Sequence, residues 1–247
     1  MTDAGMRLRD AIEKSYDQFA GMTCPSTWEV SPLRDGDGIL KSLTSAPLKT
    51  LSGDIIGPYS GWAITTVGND RDYRHFLPRI FELAVADPAW LGTEPPVLAG
   101  KLNMGAWRNW PAGQQLAVVQ VFNAAFDAMI ERHPDDWPSN VGDWLCGIAT
   151  LGEPVAPIIE RWCSSGNANA ALNMGDFISA ESKCIHGHGE VRGSFWKEVN
   201  VEVRREVVQL LREDRTMAFL LSATDKVSEE DRFRYLDPAV AELSDAL

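Results

Sequence analysis

No run of 18 or more apolar residues interrupts this 247-residue chain, so no membrane-spanning helix is expected. The opening Met-Thr-Asp-Ala-Gly-Met-Arg-Leu-Arg-Asp lacks the apolar core of a secretion signal, and a soluble, cytoplasmic protein is the expectation. Cysteine is scarce. Cys24, Cys146, Cys163 and Cys184 stand far apart with no Cys-x-x-Cys pair, which argues against a zinc knuckle and against a disulfide framework. Positive charge is short as well: 23 Lys and Arg face 35 Asp and Glu, for a net charge of −12. Nucleic-acid affinity is built mainly on neutralising phosphates with Lys and Arg, so a nucleic-acid partner is excluded, whereas a basic protein would suit this chain. Also missing are a P-loop, a Gly-x-Gly-x-x-Gly after a strand, a Gly-x-Ser-x-Gly and a His-Glu-x-x-His; no cofactor is implied. Finally, no long alternating run of β-branched residues occurs, which removes the usual signal for strands.

What remains is helical periodicity punctuated by Pro and Gly. Residues 4–20 place Met6, Leu8, Ala11, Ile12 and Phe19 on one face, closed by Gly21. A poorly patterned segment at about 22–52 follows, with Pro25, Pro32, Pro47 and an Asp35-Gly36-Asp37-Gly38 turn that lacks the further ligands of a calcium loop. Pro58 suits the first turn of a helix to Thr66, Pro95-Pro96 opens another, and Pro111 opens the clearest one at about 112–133. On that helix Leu116, Val119, Phe122, Asn123, Phe126 and Ile130 are expected to be buried. Asn140 caps a further helix, Pro154 begins the next, and residues 168–182 form one with Ala171, Leu172, Met174, Phe177 and Ile178 apolar. After a glycine-rich turn region, Val199 to Glu213 returns to helical spacing, and Ser228 with Asp231 caps a last helix.

About ten helices give a single all-α domain over 1–247. Stacked antiparallel pairs in a HEAT-like α-solenoid are expected, with an irregular helical bundle as the alternative. Ala86-Asp-Pro-Ala-Trp90 and His133-Pro-Asp-Asp-Trp137, 47 residues apart, are the one hint of a repeat.

The densest pattern lies at residues 63–83. Ala63-Ile64-Thr65-Thr66-Val67-Gly68-Asn69 is followed by Asp72-Tyr73-Arg74-His75-Phe76-Leu77-Pro78-Arg79-Ile80-Phe81-Glu82-Leu83. Tyr73, Phe76, Leu77, Ile80 and Ala84 share a buried face, Asp72, His75, Arg79 and Glu82 a neighbouring polar stripe, and Pro78 predicts a kink or two short helices. These residues resemble the signature of a family of uncharacterised bacterial all-helical proteins, Ala-x-Thr-Thr-x-Gly-Asp followed by Asp-(Tyr/Phe)-(Lys/Arg)-His-Phe-Leu-Pro-Arg-(Ile/Leu)-x-Glu-Leu. The match covers about 20 residues and is loose elsewhere; it implies a helical fold and no particular activity.

Three groups of side chains are candidates for chemistry. Asp72 one turn before His75 could orient an imidazole, with Tyr73, Arg79 and Glu82 near it, as a general base or an anion site. The same residues could instead fasten helix ends, Arg79 bonding carbonyls freed by Pro78 and His75 a neighbouring loop; this structural reading is preferred because no nucleophile or metal set accompanies them. Trp107-Arg108-Asn109-Trp110 at a loop could make a binding hot spot, although core packing accounts for most of the nine tryptophans. Cys184, His186, His188 and Glu190 alternate, and in an extended segment would point one way, but two glycines favour a solvent loop and no native metal is expected. The leading expectation is a non-enzymatic helical interaction protein, immunity-like or scaffolding, with a basic protein partner; an enzyme or small-anion binder using Asp72, His75 and Arg79 is the alternative.

Overall fold

The computed structural model describes residues 2–86, 92–136, 138 and 141–245. Asp87–Trp90 and Trp137, which carry most of the possible repeat, and the Asn140 cap lie outside them. The described residues are all-α, with thirteen α-helices and two isolated β-bridges that join Val67 to Val30 and to Ala63. The chain divides into two compact units, Met1–Ala125 and Phe126–Leu247, and the boundary falls within the helix Ala112–Ile130.

In the first unit α1 (Asp3–Phe19) starts where Thr2 accepts a hydrogen bond from Gly5 N–H, and it buries Leu8, Ala11, Ile12 and Phe19. α2 (Gly36–Leu43) arises within the segment read as unpatterned. The expected Asp35-Gly-Asp-Gly turn is its cap, Asp35 Oδ1 accepting from Gly38 N–H at 3.0 Å. α3 (Gly53–Trp62) begins five residues before Pro58, which therefore sits inside the helix and not in its first turn. α4 (Asp70–Ala86) likewise runs through Pro78 as one helix instead of two. Its apolar side, Tyr73, Phe76, Leu77, Ile80 and Ala84, is fully buried and packs on α1 and α3. Burying such aliphatic and aromatic side chains stabilises by about 1.5–3 kcal/mol each, enough to hold a helix that lacks the hydrogen bond Pro78 cannot donate. α5 (Pro95–Met104) starts on paired prolines at the positions where a missing N–H costs nothing.

α6 (Ala112–Ile130) meets expectation in part: Phe122, Phe126 and Ile130 are buried, and Leu116, Val119 and Asn123 are not. Leu116 is 57% exposed and Val119 half-exposed, while Ala117, Val118, Val121, Phe122, Ala125 and Phe126 are buried. Because this helix is apolar nearly all round, its periodicity does not mark a single buried face.

The second unit is arranged around α9 (Ala168–Ala180), which packs against α7 (Val141–Thr150), α8 (Ala156–Cys163), α11 (Asp214–Ala223) and α13 (Asp237–Asp245). α10 (Val201–Leu211) packs on α8, and the single-turn α12 (Glu229–Asp231) leads through a π-turn, Arg232–Leu236, into α13. Helices around a central one make this unit a helical bundle. Gly175 lets α9 meet that π-turn: a Cβ built on it would stand 2.2 Å from the Tyr235 carbonyl oxygen. Gly175→Ala should therefore lower stability by about 2 kcal/mol, an overpacking cost. Urea unfolding checks this, and a wild-type midpoint would show that the two backbones do not approach so closely.

Candidate functional site

The polar stripe of α4 is present, and most of its hydrogen bonds hold distant chain segments. Asp72 closes a reciprocal cap: Asn69 Oδ1 accepts from Arg71 N–H (2.9 Å) and Asp72 N–H (3.2 Å), and Asp72 Oδ2 accepts from Asn69 N–H (3.1 Å). Burial pushes its carboxyl up, and the Asn69 N–H pulls it back. His75 Nδ1 lies 2.8 Å from the Met22 carbonyl oxygen, which requires the proton on that nitrogen. Arg79 Nε donates to the Leu51 carbonyl at 2.9 Å, and its NH1 to Glu82 Oε2 at 2.6 Å. The Tyr16 hydroxyl donates to the same Glu82 oxygen at 2.6 Å, and burial followed by Glu82 raises its pKa far above the ordinary phenol value. The carbonyl Arg79 serves is thus Leu51's, 28 residues back, and not one freed by Pro78. His75 and Arg79 fasten the two ends of the 22–52 segment to α4. Tyr73 is fully buried, and burial raises its phenol too.

Trp107 and Trp110 are 1% and 5% exposed, and their indole N–H groups donate to Asn103 Oδ1 (3.0 Å) and the Gly105 carbonyl (2.9 Å). Arg108 lies over the Trp107 ring, 4.4 Å from its centroid. Both indoles are therefore core, and the exposed residues of the stretch are Arg108 and Asn109. Cys184–His188 forms a π-turn, not an extended run, so alternate side chains do not share a side. Cys184 is buried, with burial and Glu181 holding its thiol up at about 11, and His186 Nε2 meets Glu242 Oε2 at 2.5 Å. No group of three His, Cys, Asp or Glu suited to a metal ion occurs among the described residues.

Sequence reasoning passed over Lys101. It is 5% exposed, and its Nζ donates to the Ala63 carbonyl (2.8 Å) and Thr65 Oγ1 (3.1 Å). Between those two residues Ile64 sits at φ +66°, rare for a β-branched side chain. Burial lowers the Lys101 pKa. A lone Lys in an otherwise mixed helix gives no sequence signal of such a role.

A cavity of about 410 Å³ in the second unit was also missed. It is lined by Val141–Asp143 at the start of α7, by Asn173, Asp176, Phe177 and Ala180 on α9 with Glu181 at its C-cap, and by residues 192–196. The α9 residues share one face at i, i+3, i+4, i+7 and i+8, a periodicity visible in the sequence beside the apolar positions that defined the helix. Asn173 is 5% exposed, and its Nδ2 donates to the carbonyls of Ile130 (3.3 Å), Arg132 (2.8 Å) and Asn169 (2.9 Å). Its Oδ1 accepts no hydrogen bond among the described residues, which leaves it the uncommitted polar atom of this lining residue. Asp176, one turn on, is exposed at the mouth of the cavity and makes no hydrogen bond or ion pair among the described residues. Loss of water raises its carboxyl, although Arg234 pulls it down, and Arg234 itself bonds Asp135 at 2.9 Å. Arg192, the one cation among the lining residues, directs its Nε to Glu190 at 3.0 Å. Phe177, Phe195 and Trp196 supply aromatic wall. A second cavity, of about 400 Å³, lies in the first unit between α2 and α3, where Asp35 is committed to its cap and Arg34 covers the Trp62 ring at 4.2 Å.

Charge, unlike cavity volume, divides unevenly between the two units. The first unit holds 13 acidic and 11 basic residues, net −2; the second holds 22 and 12, net −10.

Two substitutions separate the two sites. Arg79→Met leaves the Leu51 carbonyl without its donor and Glu82 without its cation, and should cost about 2 kcal/mol. An unchanged melting temperature would mean that the guanidinium is free for another use. Asp176→Asn should behave oppositely. A folded pKa raised above the ordinary value of about 3.9 makes the charged form unfavourable to folding, but Asp176 is exposed and solvent screens most of that effect, so the variant is as stable as wild type or slightly more so at pH 7. Any difference closes as pH falls through the raised pKa to the ordinary one. Melting temperatures between pH 7 and 3 read this, and a destabilised variant would show a partner for the carboxylate. No family model, curated protein or solved structure matches the chain, so a functional reading rests on its geometry and charge.

Proposed function

We propose that this chain is a non-enzymatic helical interaction protein, acting in the cytoplasm, whose second unit binds a basic protein in a scaffolding or immunity-like role. The observation that carries this reading is the net −10 of residues 126–247 against −2 of residues 1–125. If acidity served only to keep the chain soluble, no such concentration in one unit would be needed. Several second-unit carboxylates already have internal partners, among them Asp127 with Arg161 and Asp135 with Arg234. Others, such as Glu229 and Glu230, are exposed on α12 and add to a negative field that steers a cationic partner. The alternative, an enzyme or anion binder at Asp72, His75 and Arg79, has less in its favour: Met22, Leu51 and Glu82 already occupy atoms such a site would use.

The test is capture from a lysate of the source organism on the immobilised full chain, followed by titration of the purified retained protein. A basic protein binding one to one, with affinity falling about tenfold or more between 50 and 300 mM salt, is expected. Retention of nothing stoichiometric at low salt, or of a partner indifferent to salt, would overturn the reading.

A further inference from the structure

The lining of the larger cavity bears on what part of a basic partner the second unit would grip, and this step rests on that reading of the unit. We infer that the cavity beside α9 receives the guanidinium of an arginine side chain carried by the partner.

Asn173 is the fixed point. Its amide cannot turn over, because a flipped group would place Oδ1 against the carbonyl oxygens of Ile130, Arg132 and Asn169. The cavity is therefore offered an acceptor, held on a residue 5% exposed and without a donor among the described residues. That oxygen is not among the fully buried polar atoms, so solvent reaches it, and an N–H donor entering the cavity would take the place of water there. Asp176 adds a carboxylate with no bond of its own, displaced by one turn, or about 4.5 Å along the axis. Glu181 adds a second carboxylate two turns beyond Asn173. The only lining cation, Arg192, is turned to Glu190. What fits is thus a positively charged group with several N–H donors and no acceptor.

Shape selects among cations. Acceptors spread along a helix face match the planar fork of a guanidinium better than the point charge of an ammonium, and guanidinium sheds water more readily and stacks on aromatic faces such as Phe195 and Trp196. A metal ion would need three or more clustered ligands, a grouping absent among the described residues. The volume of about 410 Å³ is at the low end for ligand pockets and suits one side chain more than an extended ligand.

Calorimetric titration of the full chain at one fixed low salt decides the matter, with four probes: an end-blocked Gly-Arg-Gly peptide, the same peptide with citrulline or with lysine, and N-acetylarginine amide. The arginine peptide should bind saturably one to one, citrulline should lose binding, and lysine should bind several-fold more weakly. Asp176→Asn should weaken the arginine peptide roughly 10- to 100-fold, as loss of a hydrogen bond to a charged group does, while a Glu229→Gln/Glu230→Gln control stays within about twofold. Equal binding of citrulline and arginine peptides, equal losses in Asp176→Asn and the control, or no arginine binding at millimolar peptide would overturn the cavity assignment. N-acetylarginine amide binding more tightly than the peptide would replace the partner's side chain with a small guanidinium compound. A basic protein still held in a salt-sensitive way by Asp176→Asn at wild-type affinity would leave the acidic-unit reading standing and remove the cavity from it. Failure of every basic protein to bind would remove the reading itself.

Discussion

The C-terminal end of α6 is the constraint on which the second unit depends. The last carbonyls of a helix have no intrahelical donor, and leaving them bare in a protein interior costs about 1–3 kcal/mol each. Three asparagines at the start of α9 answer them. Asn173 reaches the carbonyls of Ile130 and Arg132, and Asn167 and Asn169 both reach that of Glu131, at 3.5 and 3.0 Å. Asn167 also caps α9 itself, accepting from Asn169 N–H. One short polar run therefore begins a helix, ends another and fixes the angle between them. The helix so fixed is the one against which α7, α8, α11 and α13 pack.

Satisfying those carbonyls has a consequence at the far side of the same amide. An asparagine offers two hydrogens and one oxygen, and here the hydrogens all go one way. The oxygen is orphaned toward the cavity by the same bonds that hold the fold, so the candidate site inherits the rigidity of the scaffold. In the first unit, by contrast, His75 and Arg79 act as fasteners for a segment that could not hold itself, since residues 22–52 contain only one short helix, α2, and a 3₁₀ turn.

Helices were legible in the sequence where apolar residues recur on one face. The buried face of α4 and the α9 positions Ala171, Leu172, Met174, Phe177 and Ile178 are as periodicity predicts. Legibility failed where periodicity is absent or competes with tertiary contact. α6 is apolar on too many sides to declare its buried one, and Leu116 is exposed as a result. Pro58 and Pro78 lie within helices because packing outweighs a missing hydrogen bond. The π-turn at Cys184–His188 has Arg212 donating to the Ile185 carbonyl from α10's C-terminal end, a contact 27 residues away that no local pattern encodes. At the cavity, Asn173 and Asp176 look in sequence like the solvent side of an amphipathic helix. Only the carbonyls of α6 and the loop at 192–196 turn that side into a lined pocket.

Asp176 and the α4 stripe also differ in what they contribute to folding. Glu82 is held by Arg79 and Tyr16, so its charge is neutralised by its own fold and little of it remains for anything outside. Asp176 is exposed and holds no hydrogen bond or ion pair among the described residues, so it contributes little to the folded chain in either direction. A carboxylate with no bond of its own that lines a cavity beside a fixed acceptor is where binding free energy can be gained without first breaking an internal bond. A cation entering there forms new hydrogen bonds, whereas an anion entering the α4 stripe would have to displace Glu82 from Arg79. The two sites therefore differ less in the residues they contain than in whether those residues are already used.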